Sequence, residues 1–128
     1  MKIAKLIQAG LLVSVAIAGG SAIAQVLPTR TLPQQGGQAI YRGVCQDCHM
    51  PDARGAVGAG MYPSLAGNEK LREAGYPIAV ILHGQKAMPP FGTALDDQQI
   101  ADVVNFVRSQ FGNHYKDKVT AADVKASR

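Results

Sequence analysis

Two cysteines and a histidine lie close together near the middle of the chain, in the order Cys45-Gln-Asp-Cys48-His49. Two thiols at this spacing on one helical turn can each form a thioether with a vinyl group of the same haem. The imidazole directly after the second thiol then lies beneath the porphyrin and can bind the iron. The motif therefore predicts haem c attached covalently through Cys45 and Cys48, with His49 as the proximal axial ligand.

The same residues have three other interpretations. A redox-active dithiol also uses this cysteine spacing, but it follows a buried strand in a βαβ pattern, whereas residues 37–44 have the pattern of a short helix. A zinc site needs four ligands, and His83 and His114 are the only histidines outside the motif. A structural disulfide would leave His49 without a role. These alternatives stay open, but haem attachment is the favoured prediction.

A haem bound in this way needs a second axial ligand. Met88 is the favoured candidate, because Pro89 and Pro90 stiffen the chain directly after it and hold it extended. The alternative role for Met88 is that of a gap-filling core residue. Met50 adjoins His49 and cannot readily reach the opposite face of the ring. The other candidates are Met61, His83 and His114. We therefore predict Met88 as the distal axial ligand.

The first 24 residues have the pattern of an export signal. Lys2 and Lys5 precede an apolar stretch at about 6–18, and a small-x-small pattern ends at Ala24. The apolar stretch is short for a membrane-spanning helix, although an uncleaved anchor is the alternative. We therefore expect cleavage near Ala24, a mature protein in the periplasm and no stable membrane anchor.

Composition narrows the class of protein further. The chain has 128 residues, enough for one domain, and 47% of them are hydrophobic. It has no Trp and only 3 Phe, so its core is weak unless a large apolar cofactor fills it. Without the signal, the chain has eleven basic and nine acidic residues. This excess is too small for the dense basic face of a nucleic-acid-binding protein, so we predict no nucleic-acid partner.

Three helices are predicted to position the candidate site. The first covers residues 37–44 and leads into the motif, and the middle one runs over 77–84 with a proline in its first turn. The last covers 95–111, where Asp96 as N-cap and Gln99 form a capping-box pattern before an apolar stripe. No segment has a strand pattern, so the predicted fold is all-α.

Over residues 37–111 the chain resembles a small class I cytochrome c. Gly37, Tyr41 and Cys45 lie at successive four-residue intervals, as in the first helix of that family. There the glycine lets the last helix cross closely, and the aromatic residue packs beside haem. The resemblance implies three to four helices wrapped around one covalently attached haem. The glycine-rich segment 55–60 is expected to be a flexible surface loop.

The resemblance also predicts a hydrogen-bond partner for the ligand histidine. Residues 62–68 are similar to the family's loop after the motif, in which a proline carbonyl accepts a hydrogen bond from the ligand imidazole. This similarity implies that Pro63 orients His49 and raises its basicity. The implied organisation is a cleaved signal peptide at 1–24, an N-terminal extension at 25–36, a cytochrome c domain at 37–112 and a C-terminal tail at 113–128.

The implied function is single-electron transfer and not catalysis, because His/Met ligation leaves no open position on the iron. The Met88 region and residues 119–124 resemble cytochrome domains attached to periplasmic dehydrogenases. The expected donor is therefore a flavin- or quinone-cofactor dehydrogenase, and the expected acceptor is a respiratory cytochrome or oxidase. We expect a monomer or a transient complex. Five basic residues either face an acidic partner or are ordinary solvated charges: Arg42, Arg54, Lys70, Arg72 and Lys86.

Two other functions remain open. A haem enzyme or gas sensor would have a labile sixth ligand, and its ferrous form would bind carbon monoxide. An exported thiol oxidoreductase would carry no haem and would show no Soret band.

Overall fold

The computed structural model describes residues 31–58 and 60–128, so the predicted signal segment 1–24 lies outside the described residues. The regular secondary structure of the described part is predominantly helical, which confirms the all-α prediction. Helix α1 comprises Gly37–Ile40 and Gln46–His49, joined by a π-helical Tyr41–Cys45; the others are α2 at Gly75–His83, α3 at Asp97–Ser109 and α4 at Ala121–Ala126. A 3-10 turn covers Glu69–Leu71. No helix within these described ranges has the length and apolarity needed to cross a membrane.

The first helix continues past residue 44 and carries the whole cysteine–histidine motif, in agreement with the helical spacing predicted for Cys45 and Cys48. Its π-helical segment ends at Cys45, and α-helical geometry resumes as far as His49. Met50, with a φ of 68°, ends the helix. Single π-helical turns are rare and frequently mark functional sites. The three motif side chains are therefore positioned by one helix whose first half is anchored in the core by Ile40.

Helices α1 and α3 cross at Gly37, where their backbones approach closely. A Cβ atom on Gly37 would overlap the Asp102 carbonyl oxygen and would lie 2.5 Å from the Phe106 Cβ atom. One turn later, the Tyr41 ring lies 5.7 Å from the Phe106 ring and 4.9 Å from the Phe111 ring. The crossing therefore requires a glycine, in agreement with the close approach that the resemblance implied.

Helix α3 begins with the predicted capping box. The Asp96 carboxylate accepts a hydrogen bond from the Gln99 N–H at 2.8 Å, and the Gln99 side-chain oxygen accepts one from the Asp96 N–H at 2.9 Å. The helix ends at Ser109, earlier than predicted, because Phe111 and Gly112 adopt left-handed φ angles of 57° and 80°. The predicted apolar stripe is buried and consists of Ile100, Val103, Val104 and Val107.

Helix α2 lies where the middle helix was predicted. It begins at Gly75, just before Pro77, and its last residue is His83. Gly84 follows with a φ of 74°, which ends the helix. The C-terminal end of α2 therefore leads directly into the segment that carries Met88.

A small β-hairpin corrects the strand-free prediction and the loop expected at 55–60. Strand β1 (Ala56–Val57) pairs antiparallel with β2 (Met61–Tyr62). Two-residue strands are too short to show an alternating pattern in the sequence. The side chains of Val57 and Met61 are 85% and 75% exposed, so the hairpin adds little to the core.

Residues 113–128, predicted to be a tail, pack along α3. Val119 and Val124 are buried and belong to the same hydrophobic cluster as the α3 stripe. Helix α4 begins with a capping box between Thr120 and Asp123. The segment therefore contributes to the packing of the domain.

Candidate functional site

The two predicted thioether cysteines lie at the C-terminal end of α1. Cys45 is half-buried, Cys48 is exposed, and no disulfide joins them. Burial and the neighbouring Cys48 raise the pKa of the Cys45 thiol to about 12. Reactive dithiols have lowered thiol pKa values instead. The environment of Cys45 therefore gives no support to the dithiol interpretation.

His49 is buried, with 8% of its surface exposed. Its Nδ1 atom lies 3.0 Å from the carbonyl oxygen of Pro63, 14 residues further along the chain. Because a carbonyl oxygen only accepts hydrogen bonds, this contact places the proton on Nδ1 and leaves the Nε2 lone pair free. Metal-binding histidines typically have their other nitrogen held in this way. The structure thus brings His49 and Pro63 together, and their roles towards an iron stay predictions.

The Pro63 carbonyl is positioned by close packing against Gly55. The Gly55 N–H donates to the His49 carbonyl oxygen at 3.0 Å. Gly55 has a φ of 68°, and a Cβ atom on it would overlap the Tyr62 carbonyl oxygen and lie 2.9 Å from the Pro63 oxygen. Sequence reasoning missed this residue, because the contact forms only when the chain folds back through the β1–β2 hairpin.

We expect Gly55→Ala to lower the free energy of unfolding by about 1–3 kcal/mol, because it adds a side chain at a left-handed φ in a crowded place. Displacement of the Pro63 carbonyl is also expected to break its hydrogen bond with the His49 Nδ1–H, so that this proton exchanges faster with solvent. Urea unfolding of the haem-loaded protein measures the first effect, and NMR exchange of the ring proton measures the second. Gly58→Ala is the matched control, since Gly58 has open space around it and an ordinary φ. Equal losses in both variants would contradict the prediction.

Met88 lies in a tight turn after α2. Its N–H donates to the Gln85 carbonyl oxygen at 2.9 Å, and its own carbonyl oxygen accepts from the Gln85 N–H at 3.0 Å. A Cβ atom on Gly84 would lie 2.7 Å from the Met88 oxygen, so the turn requires a glycine there. Beyond the two prolines, the Phe91 N–H donates to a carbonyl of α2 at 2.8 Å. The backbone of residues 84–92, here called the Met88 loop, is thus fixed at both ends.

Three of the other candidate axial ligands are more exposed than Met88. Met88 is half-buried, whereas Met61 is 75% exposed on β2. His83 and His114 are also exposed. Met50 directly follows the motif and has the strained left-handed φ that ends α1. Met88 stays the predicted distal ligand.

Three of the predicted basic residues come together beside the Met88 loop. They line an open cleft of about 680 Å³. The lining residues are Glu69, Lys70, Arg72, Glu73, Tyr76, Gln85 and Lys86. The cleft has three basic and two acidic residues and contains none of the predicted haem ligands. Arg42 and Arg54 are not among the lining residues, and Arg54 lies 3.7 Å from the Asp52 carboxylate.

Comparison with known proteins identifies related sequences over most of the chain. A family profile described as cytochrome C oxidase, cbb3-type, subunit III, matches residues 33–107. This range contains the cysteine–histidine motif, Pro63 and Met88.

Three curated proteins illustrate the similarity. The cytochrome c subunit of alcohol dehydrogenase (quinone) from Gluconacetobacter polyoxogenes is 40% identical over 101 residues, which cover 69% of this chain and 21% of that protein. The gluconate 2-dehydrogenase cytochrome c subunit of Pantoea cypripedii is 37% identical over 112 residues, covering 73% and 24%. Cytochrome c6 of Aphanizomenon flos-aquae is 32% identical over 88 residues, covering 62% and 93%. The chain thus spans less than a quarter of the two dehydrogenase subunits and most of cytochrome c6.

Proposed function

Because this chain belongs to the cytochrome c family represented by subunit III of cbb3-type cytochrome c oxidase, we propose that it carries single electrons on one covalently bound haem c. One observation carries the proposal. Cys45 and Cys48 at the end of α1 form no disulfide, and the buried His49 directly follows the second of them. The Nδ1 atom of His49 is hydrogen-bonded to the Pro63 carbonyl. This arrangement leaves Nε2 as a free donor for a metal.

The residues of the site fit haem c by their chemistry. Cys45 and Cys48 would supply two thiols for thioether bonds, His49 an oriented imidazole and Met88 a neutral thioether as the second protein ligand of the iron. When bound, haem c supplies a one-electron ferric–ferrous couple. The small aromatic content of the chain, with no Trp, fits a fold completed by a large apolar cofactor.

The surrounding contacts favour electron transfer because they fix the His49 ring and the backbone at Met88. The Pro63 carbonyl orients the His49 ring, and the Gly55 N–H holds the backbone of the same histidine. Paired hydrogen bonds with Gln85 hold the backbone at Met88. Fixed ligands need little rearrangement between redox states. With His49 and Met88 both bound to it, the iron would have no open position for a substrate, which favours a carrier over an enzyme.

We propose a periplasmic flavin- or quinone-cofactor dehydrogenase as the electron donor and a respiratory cytochrome or oxidase as the acceptor. Similarity to cytochrome c subunits of alcohol dehydrogenase (quinone) and gluconate 2-dehydrogenase supports the donor class. The export-signal pattern of residues 1–24 supports a periplasmic location after cleavage near Ala24. Small, transient interfaces are typical of electron-transfer partners. We therefore propose a monomer that forms transient complexes, with residues 37–112 as its cytochrome domain.

Optical spectra of protein exported together with the haem-attachment machinery test the proposal. We expect a low-spin c-type spectrum with a Met–ferric charge-transfer band, and no response of the reduced protein to carbon monoxide. Cys48→Ala is expected to lower the yield of haem-loaded protein, because one thioether is lost. His83→Ala is the control and is expected to leave yield and spectrum unchanged, since His83 is exposed.

The other outcomes assign the chain to a different function. A high-spin or gas-sensitive spectrum would indicate the haem enzyme or gas sensor, and the absence of a Soret band would indicate the thiol oxidoreductase. The donor class is tested by mixing the oxidised protein with a purified periplasmic quinoprotein dehydrogenase and its substrate. Rapid reduction in stopped flow is expected, and no reduction at any ionic strength would remove that class of donor from the proposal.

A further inference from the structure

Residues 115–128, here called the α4 strap, run back along α3 from its C-terminal end towards its N-terminal end. Near the start of the strap, the Asp117 carboxylate accepts hydrogen bonds from the buried Arg108 guanidinium at 2.7 and 2.8 Å. Further along, the backbone of Val119 exchanges hydrogen bonds with the Asn105 side chain at 2.8 and 2.9 Å. The strap is therefore tied to successive turns of α3.

At the far end of the strap, the Arg128 guanidinium reaches the chain that connects Met88 to α3. It donates to the carbonyl oxygens of Gly92 and Leu95, the second at 3.2 Å, and it pairs with the Asp97 carboxylate. A planar guanidinium can make several directed hydrogen bonds at once. One side chain therefore joins the strap, the end of the Met88 loop and the first turn of α3.

Gly92 is also confined on its other side. A Cβ atom on Gly92 would lie 2.8 Å from the Leu82 carbonyl oxygen in α2. The neighbouring Phe91 N–H donates to the Ile81 carbonyl oxygen at 2.8 Å. The backbone at Gly92 is thus clamped between the end of α2 and Arg128.

The chain between this clamp and the predicted distal ligand is stiff. Only Pro89, Pro90 and Phe91 separate Met88 from Gly92, and each proline ring locks its φ angle. A displacement of the backbone at Gly92 therefore strains the Phe91–Ile81 hydrogen bond and is transmitted in part to Met88.

We propose that Arg128 is a positioning residue that holds the Met88 loop against α2 and so keeps the Met88 thioether available as the distal ligand. This inference rests on the proposed function, in which Met88 binds the iron. The Arg128 side chain is 36% exposed, so its contacts open more readily than the buried core. Helix α3 keeps its own capping box at Asp96 when these contacts open. Loss of Arg128 therefore removes one restraint on the loop without unfolding the helix.

The test is the rate at which imidazole replaces the distal ligand in the ferric, haem-loaded protein, because this rate reports how often Met88 leaves the iron. We expect Arg128→Ala to raise it roughly tenfold, the scale of a lost set of charge-assisted hydrogen bonds at a partly exposed site. Arg128→Lys keeps the charge beside Asp97 but loses the planar fork, so an intermediate rate is expected. Lys125→Ala removes a positive charge from an exposed position on α4 and is expected to change nothing.

Three results would overturn the inference, and they are distinguishable. If Arg128→Ala behaves like Lys125→Ala while the wild type shows the Met–ferric band, Arg128 does not position Met88 and the proposed function stands. If the wild type lacks that band, ligation by Met88 fails and the inference fails with it. If the acceleration equals the change in the global unfolding constant, measured by far-UV circular dichroism in urea, Arg128 acts only on overall stability.

Discussion

Met88→Ala is expected to retain the covalent haem while opening the iron to carbon monoxide. In the proposed function Cys45 and Cys48, and not Met88, form the covalent attachment, so the haem-loaded protein is expected to be recovered. A thioether ligand favours ferrous iron, so loss of the proposed ligand is expected to lower the midpoint potential by roughly 0.1 V, within the span that axial ligands control. Redox titration and carbon monoxide difference spectra of the purified variant measure the two effects.

Met61→Ala is the matched control for this change. Met61 also has a thioether side chain, but this residue lies on β2 and is 75% exposed. Its spectrum and potential are expected to equal those of the wild type. An unchanged spectrum and potential in Met88→Ala would remove Met88 from the ligand set. The double variant with His83→Ala would then show whether the exposed histidine at the end of α2 supplies the ligand.

The residues of the attachment motif could be predicted from the sequence because their relation is local. Cys45, Cys48 and His49 fall within little more than one helical turn, whatever surrounds them. The contact between His49 and Pro63 joins residues 14 apart, and it was predicted only through the family resemblance. Gly55 could not be found in either way, because its role depends on a backbone approach created by the hairpin.

The difference between local and long-range contacts also explains why α3 was predicted and α4 was not. Asp96 and Gln99 define the start of α3 by a capping pattern that is visible in four residues. Helix α4 has six residues, too few for an isolated helix to be stable in water. It forms because Val119 and Val124 are buried against the rest of the domain, and that burial is a tertiary effect.

The aromatic residues connect the core to the candidate site. Tyr41 packs against both Phe106 and Phe111, and its hydroxyl donates to the Met50 carbonyl oxygen at 2.7 Å. Burial raises the pKa of Tyr41 to about 12, so the hydroxyl stays protonated and remains a donor. The crossing of α1 and α3 thereby fixes the backbone at the end of the motif, directly after His49.

We expect Arg108→Met to lower the free energy of unfolding by about 3 kcal/mol, because buried polar groups lose their partners. The Arg108 guanidinium is fully buried and donates to the carbonyl oxygens of Leu71, Arg72 and Asp117, each at 2.8 Å. Methionine fills a similar volume but donates no hydrogen bond, so the three carbonyls lose this donor. Urea unfolding of the haem-loaded variant, followed by far-UV circular dichroism, measures the loss.

Asp117→Asn separates the contribution of the ion pair from that of the carbonyl contacts. Hydrogen bonds from Arg108 hold the pKa of the Asp117 carboxyl below its ordinary value. The pair therefore stabilises the fold above the unfolded-state pKa of an aspartate, and this contribution disappears as the pH falls through the lower folded-state value. Because the Asp117 side chain is 70% exposed, we expect Asp117→Asn to cost far less stability than Arg108→Met. In Arg108→Met, an NMR titration is expected to show the Asp117 pKa returning upwards. Equal losses in the two variants would mean that the exposed ion pair with Asp117, and not the contacts with the carbonyls of residues 71–72, accounts for the stabilisation by Arg108.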